Sequence, residues 1–244
     1  MGVTHNNYKL RDCWTLCALP PVVSVINIKE SQLYQLYYYP LNASMAPHFV
    51  LEALKVDFEL ILVDSKSNAQ KSDEYLALNP LGRIPTLIDG ELVLFESPAI
   101  CIHLAESNPS SNFIPNIGSK NRPKFFQWMM YLTNTVQAEL MIYSYPEKHK
   151  SHSDVVSDIA ETHERRITDM FEILDNELKN RDFLVGNTIT VCDFFLFMLA
   201  IWADEFKKPP LAFDNLSKYL CNLAKHEAII SVCKKEKLSL LDYQ

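Results

Sequence analysis

Short apolar runs and segments of helical period alternate in the first part of the chain. Four runs are rich in aliphatic and aromatic residues and end at turn residues, which is typical of strands. These runs are residues 36–39, 58–63, 84–88 and 92–94. The last two flank Asp89-Gly90, a two-residue hairpin signal, so we expect them to pair antiparallel.

Three helices are predicted between and after these strands, from apolar residues spaced three or four apart. They begin after Ser44, near residue 75 and after Ser97. Strand–helix–strand units give parallel pairs with right-handed crossovers. The order β-α-β-α-β-β-α therefore predicts a small α/β layer over residues 33–108.

The rest of the chain has helical period after a short interruption. Residues 109–119 contain two prolines and a glycine and predict a linker, while residues 120–244 predict an all-helical domain. Within that domain, residues 190–203 are apolar on nearly every side, which indicates a helix buried all round. Residues 1–32 show no sustained period and are interpreted as an N-terminal extension with no assigned role.

Composition and charge narrow the classes of function. Apolar residues make up 48% of the chain, which is enough for a sizeable core. The net charge is −7 and no basic run occurs, so we expect no nucleic-acid surface. No stretch reaches the ~20 apolar residues of a membrane helix, and no secretory signal is recognisable. These features favour a cytoplasmic protein without a membrane partner.

The six cysteines are scattered and include no CxxC pair, which favours a reducing compartment and buried thiols. Cys13 and Cys17 stand four residues apart in the extension, where a metal or disulfide role is open. No further ligand cluster accompanies them, so no metal site is predicted.

The Ile84-Pro85 step is the first candidate for a binding site. Proline cannot donate to a strand ladder and therefore belongs on an edge or beside a bound chain. If this peptide bond is cis, the backbone groups of Ile84 turn outward and can pair with an extended peptide. The alternative is an ordinary trans proline at an edge.

Two helix starts are the other candidates. Glu96 and Ser97 precede Pro98 and offer a carboxylate, an amide and a hydroxyl, which suit the ammonium and carboxylate of one amino-acid terminus. Ser44 opens the first helix, where its hydroxyl and the positive helix end favour a bound thiolate. Each serine is equally consistent with a structural helix cap.

A family resemblance connects these candidates. The stretches LYYYP, PHFVLEAL and NPLGRIPTLIDGELVLFESPAICIHLAE contain the pattern Asn-Pro-x-Gly-x-Ile-Pro-x-Leu followed by Glu-Ser. With them, residues 36–106 resemble the thioredoxin-like N-terminal domain of the glutathione transferases. A second match, GNTITVCD at 186–193, is similar to the capping box of the family's helical domain, with Thr190 as cap and Asp193 as its partner.

The resemblance implies roles for individual residues. Pro85 would follow a cis bond, and Ile84 would pair with the cysteinyl part of glutathione. Glu96 and Ser97 would hold the γ-glutamyl end. Apart from the resemblance, Lys66 is a further candidate, for the glycyl carboxylate, and a solvated surface lysine is the alternative interpretation.

Activation of the thiol is assigned to Ser44, with Tyr38 as the competing hydroxyl of tyrosine-type members. The first helix is most similar to bacterial beta-type members. Their active-site cysteine, however, falls on Ala43, and their histidine falls on Gln137 when Trp128 is aligned with their tryptophan. Serine-type members activate the thiol with a hydroxyl, which fits Ser44 better.

The implied fold is a thioredoxin-like α/β domain followed by an all-helical bundle. The implied function is a homodimeric, detoxifying transferase that joins the sulfur of glutathione, its co-substrate, to a small electrophile in an apolar cleft. A glutathione-dependent isomerase, peroxidase or dehalogenase would use the same site. A non-catalytic binding or scaffold protein that keeps the fold is the alternative of another class.

Overall fold

A computed structural model of the chain describes residues 33–149 and 156–244. The extension predicted at 1–32, with Cys13 and Cys17, lies outside the described residues. The described part contains one four-stranded sheet in the order β2-β1-β3-β4. The strands are β1 Tyr34–Tyr38, β2 Phe58–Leu62, β3 Thr86–Asp89 and β4 Leu92–Phe95.

The sheet is mixed rather than parallel with one antiparallel edge. β1 and β2 pair parallel, with Leu36 opposite Leu60, and β3 and β4 form the predicted antiparallel hairpin. The parallel pairing predicted for the second strand–helix–strand unit is wrong, because β3 runs antiparallel to β1 and places Leu87 opposite Leu36. Its helix has six residues and spans about 9 Å, too short to return the chain to the far end of the sheet.

Three α-helices accompany the sheet in the described residues 33–108, which are called the first half below: α1 Met45–Leu54, α2 Asp73–Leu78 and α3 Ser97–Ser107. α1 and α3 pack against each other. Phe49 and Val50 of α1, Ile100 of α3 and Leu36 and Leu87 of the sheet are fully buried in one cluster. The alternating strands and helices of the sequence therefore form a sheet covered by a layer of helices, which is the predicted α/β arrangement.

The second half, residues 109–244, is helical in its described part. Its elements are α4 Arg122–Met130, a π-helical segment Tyr131–Gln137, α5 Ala138–Ser144, α6 Val156–Glu177, α7 Val191–Ile201, α8 Asp214–Leu223 and α9 Glu227–Glu236. Within the described ranges, no helix combines the length and the apolar composition that crossing a bilayer demands.

α7 joins the two halves through one hydrophobic core. Its residues from Val191 to Ala200 are all buried, which confirms the predicted all-round burial. Phe194 and Phe197 of α7 lie against Phe49 of α1, with ring centroids 6.2 and 6.0 Å apart. The two halves therefore share their interior along this helix.

The predicted capping box at the start of α7 is present. Asp193 is fully buried, and its Oδ2 accepts hydrogen bonds from Thr190 N (2.6 Å) and Thr190 Oγ1 (2.9 Å). Its Oδ1 accepts from Leu184 N (2.8 Å) and from the Tyr219 hydroxyl (2.6 Å). Burial raises the pKa of Asp193 even though these hydrogen bonds lower it. The Asp193 carboxyl group therefore has a structural role at the start of α7.

Candidate functional site

The chain just before β3 is held in place by side chains of the preceding segment. The carbonyl oxygen of Arg83 accepts hydrogen bonds from the Tyr75 hydroxyl and from Asn79 Nδ2, both at 2.8 Å. Gly82 has a φ of +55°, and a Cβ there would lie 2.8 Å from the carbonyl oxygen of Gln70. Any side chain at this position would clash with the backbone. The path of the chain from Gly82 into Ile84 therefore depends on glycine.

The Ile84–Pro85 peptide bond is cis, which confirms the prediction. The Ile84 side chain is buried in a small cluster with Val63 and Tyr75. Among the described residues, none hydrogen-bonds to the amide or carbonyl of Ile84. Its amide and carbonyl are therefore unpaired within the described part of the chain, as the addition of an extended peptide would require.

The start of α3 differs by one residue from the prediction. The first helical hydrogen bond runs from Ile100 N to the carbonyl of Glu96 (3.0 Å), so Glu96 is the cap residue and Ser97 is the first helical residue. Glu96 is exposed, makes no capping hydrogen bond with its side chain and has a φ of +72°. A positive φ is uncommon outside glycine and concentrates at functional sites.

Ser97 connects this helix start to the segment that follows β1. That segment, residues 39–44, is called the sulfur loop below, after the bound sulfur that is expected from the sequence at Ser44. The Ser97 hydroxyl donates to the carbonyl of Ala43 at 2.6 Å. Its amide lies at the positive end of α3 and has no hydrogen-bond acceptor among the described residues. A carboxylate bound at this amide would therefore lie beside the sulfur loop.

The Ser44 hydroxyl closes the sulfur loop on itself. It accepts a hydrogen bond from Tyr39 N (3.3 Å) and donates to Tyr39 O (3.1 Å), and the residue is fully buried. The capping hydrogen bond considered for Ser44 is not formed, because its backbone is already helical and its side chain turns back to Tyr39. Contact with a sulfur would require the hydroxyl to leave Tyr39 O and the loop to uncover it, because Ser44 has no exposed surface.

Tyr38 and Lys66 lie at the margins of this arrangement. The Tyr38 ring is half-buried and meets the ring of His48 edge-on, with centroids 6.1 Å apart. Lys66 is exposed in the single turn Ser65–Ser67 after β2, and its amide donates to Asp64.

Sequence reasoning missed a buried carboxyl group that reaches the sulfur loop from α9. Glu236 Oε1 lies 2.8 Å from His48 Nδ1, and Glu236 Oε2 accepts a hydrogen bond from Leu41 N at 3.1 Å. A signal existed, since Glu236 continues the stripe of Ile229 and Val232 on the buried face of α9. A charged residue on such a stripe indicates a specific partner.

Comparison with protein families matches both halves of the chain. The model for the glutathione S-transferase N-terminal domain matches residues 33–106, and the model for the C-terminal domain of the same enzymes matches residues 135–227.

Individual relatives agree with this assignment. Glutathione S-transferase GstA of Escherichia coli O157:H7 is 24% identical over 206 residues, which are 84% of this chain and 99% of that protein. Glutathione S-transferase F10 of Arabidopsis thaliana is 30% identical over 64% of this chain and 74% of its own length.

Solved structures share the fold. A glutathione S-transferase from Xylella fastidiosa superimposes with a TM-score of 0.77 at 22% identity, over 84% of this chain and all of that one. A sphingomonad glutathione S-transferase in complex with glutathione superimposes with a TM-score of 0.73 at 27% identity over the same shares.

Proposed function

The chain belongs to the glutathione S-transferase family, and we propose that it binds glutathione between Ile84 and the start of α3. It is a glutathione transferase, and glutathione is its co-substrate. One observation carries the placement: the hydrogen bond of 2.6 Å from Ser97 to Ala43 joins the start of α3 to the sulfur loop. The two ends of a γ-glutamyl-cysteinyl unit would thus meet adjoining elements.

Each part of the peptide has a chemically matched group. The amide and carbonyl of Ile84 would pair with the backbone of the cysteinyl residue. The Ser97 amide at the helix end suits the α-carboxylate, and the exposed carboxylate of Glu96 suits the α-ammonium. Lys66 is the proposed partner of the glycyl carboxylate, because it is exposed on the turn after β2.

The sulfur would lie against the sulfur loop at the positive end of α1. A free thiol has a pKa of about 8.5, and a hydroxyl donor together with the helix dipole lowers it toward neutrality. Ser44 is the proposed donor, exchanging its bond to Tyr39 O for one to the sulfur, and Tyr38 is the alternative. The thiol releases its proton to solvent, and the thiolate donates an electron pair to the electrophilic carbon to form the C–S bond. That carbon either expels a leaving group with the bonding electron pair or, in an activated double bond, passes the π-electron pair to the next atoms, which take up a proton.

The thiolate assignment is tested by ultraviolet titration of glutathione bound to the enzyme, in the wild type, Ser44→Ala and Tyr38→Phe. We expect the wild type to lower the pKa of the thiol by about two units. Ser44→Ala should return it close to the free value, with little change in Tyr38→Phe. The reverse pattern would transfer the role to Tyr38. No retention on immobilised glutathione, together with no conjugation of several electrophiles, would defeat the proposed function.

We also propose a cytoplasmic homodimer that detoxifies small electrophiles. Support for self-association comes from large apolar side chains left exposed on β4, with Leu92 at 42% and Val93 at 39%, and on α4, with Met130 at 41%. Sedimentation velocity at micromolar concentration should show a dimer, and Val93→Asp should weaken it. A wild type that sediments as a monomer would refute this part.

A further inference from the structure

Glu236 occupies a place where an apolar residue would serve packing. Its side chain is fully buried at the end of α9, on the same face as Ile229 and Val232. Glutamate is almost never fully buried without a partner, because removing a carboxyl group from water costs several kcal/mol. A well-packed apolar residue at such a site is often neutral or stabilising. Packing alone therefore gives no reason for a carboxyl group here.

Both carboxyl oxygens of Glu236 are engaged with the segment between β1 and α1. Oε1 pairs with His48 Nδ1 at 2.8 Å, and Oε2 accepts from Leu41 N at 3.1 Å. His48 is also fully buried, and its Nε2 has no hydrogen-bond partner among the described residues. Without Glu236, both ring nitrogens of His48 would be buried without a hydrogen bond.

Leu41 depends on this contact for its position. Its φ is +57°, a region that costs a leucine about 1 kcal/mol, and the residue is 51% exposed. Packing of the side chain therefore does little to hold the residue in place. Its amide is held by Glu236, which lies 195 positions away in the sequence.

The remaining ties of the sulfur loop come from the first half of the chain. Ser44 binds both backbone groups of Tyr39, Asn42 Oδ1 accepts from Ala43 N at 2.7 Å, and Ser97 donates to Ala43 O. In the part of the chain that the structure describes, Glu236 is the side chain of the helical half that hydrogen-bonds to this loop.

We propose that Glu236 is a positioning residue, which fixes the sulfur loop through Leu41 and His48 so that the loop meets the glutathione sulfur in one geometry. This inference rests on the proposed function and adds to it a control of the sulfur site from α9. Glu236 itself touches no substrate. Its loss should affect the ionisation of the sulfur more than the affinity for the peptide, because neither Ile84 nor Glu96 hydrogen-bonds to Glu236, whose partners are Leu41 and His48.

The test compares Glu236→Met, which fills the volume without hydrogen bonds, with Glu236→Gln, which retains an oxygen for Leu41 N and an NH₂ group toward His48. Glu227→Gln is the matched control, because it lies on the same helix and its side chain is 86% exposed. Steady-state kinetics, titration of the bound thiol and thermal unfolding are measured for each variant.

We expect Glu236→Met to lower kcat about tenfold and to raise the pKa of the bound thiol by about one unit, the equivalent of a tenfold change. The KM for glutathione should stay within about twofold. Glu236→Gln should recover most of both losses, and Glu227→Gln should match the wild type. A purely structural role would lower the melting temperature without changing the pKa of the bound thiol.

The proposal is overturned if Glu236→Met retains the wild-type kcat and thiol pKa, or if Glu236→Gln is as impaired as Glu236→Met. Should Glu236→Met fail to fold, hydrogen exchange of the Leu41 amide in the wild type decides. Slow exchange supports the contact, and exchange at the rate of a free peptide overturns it.

A wild type that does not bind glutathione overturns the proposed function and this inference together, whereas a normal wild type with an unaffected Met variant overturns this inference alone.

Discussion

The helices α7 and α3 both begin with a polar pair, but the two pairs differ in burial and in hydrogen bonding. At the start of α7, Asp193 is fully buried and accepts four hydrogen bonds, two of them from Thr190. At the start of α3, Glu96 is exposed at a φ of +72° and caps nothing with its side chain. The amide of Ser97 beside it has no acceptor among the described residues.

This is the difference expected between a structural cap and the binding site proposed at the start of α3. A helix start leaves amides without intrahelical partners, and the protein either satisfies them itself or leaves them for a ligand. α7 satisfies them inside the core, where an unpaired group is most costly. α3 leaves the Ser97 amide without an acceptor beside Glu96, an exposed residue with a positive φ, which supports the proposed binding of a ligand there.

The largest expected effect follows from removing the buried carboxyl group. Asp193→Ala should lower the free energy of unfolding by about 3 kcal/mol or more, because it leaves buried donors of Thr190, Leu184 and Tyr219 without an acceptor. Urea denaturation measures it. Asp214→Ala, at the exposed first position of α8, is the control and should cost less than about 1 kcal/mol. Equal losses would refute the structural assignment of α7.

The next effect concerns binding instead of folding. Glu96→Ala should raise the KM for glutathione about tenfold, since a hydrogen bond to a charged group is worth roughly 1.5–3 kcal/mol. The melting temperature should hardly change, because Glu96 is exposed and makes no capping bond. Glu91→Ala, exposed in the β3–β4 turn, serves as control. An unchanged KM would remove Glu96 from the site.

The smallest pair of effects contrasts the two hydroxyls. Thr190→Ala should cost about 1 kcal/mol of stability and leave the KM for glutathione unchanged, as expected for a cap. Ser97→Ala should raise that KM about fivefold, because it releases the carbonyl of Ala43 at the sulfur loop. Denaturation and steady-state kinetics on both variants would show whether the start of α7 affects stability and the start of α3 affects binding. If Ser97→Ala altered stability alone, the comparison would fail.

Much of the fold follows from local sequence patterns. The four strands, α1, the all-round burial of α7 and its capping box were each marked by periodicity or by a capping pair within four residues. The antiparallel direction of β3 was not marked by any local pattern, because it depends on how far the short helix α2 carries the chain.

The site was less predictable, because its hydrogen bonds join residues far apart in the chain. Ile84–Pro85 was identifiable from its motif and proved cis. The turn of the Ser44 hydroxyl toward Tyr39 depends on the path of the sulfur loop, which no spacing encodes. The link from Glu236 to Leu41 arises only once α9 packs on α1.

The shared interior along α7 has a consequence for recombination. Phe49 of the first half rests against Phe194 and Phe197 of the second, and each ring is fully buried. Expressing either half by itself would uncover this aromatic layer. A chimera that takes its helical half from a relative must therefore supply side chains that pack against Phe49 as Phe194 and Phe197 do. Otherwise the contact between the two halves will be the first part of the chimera to unfold.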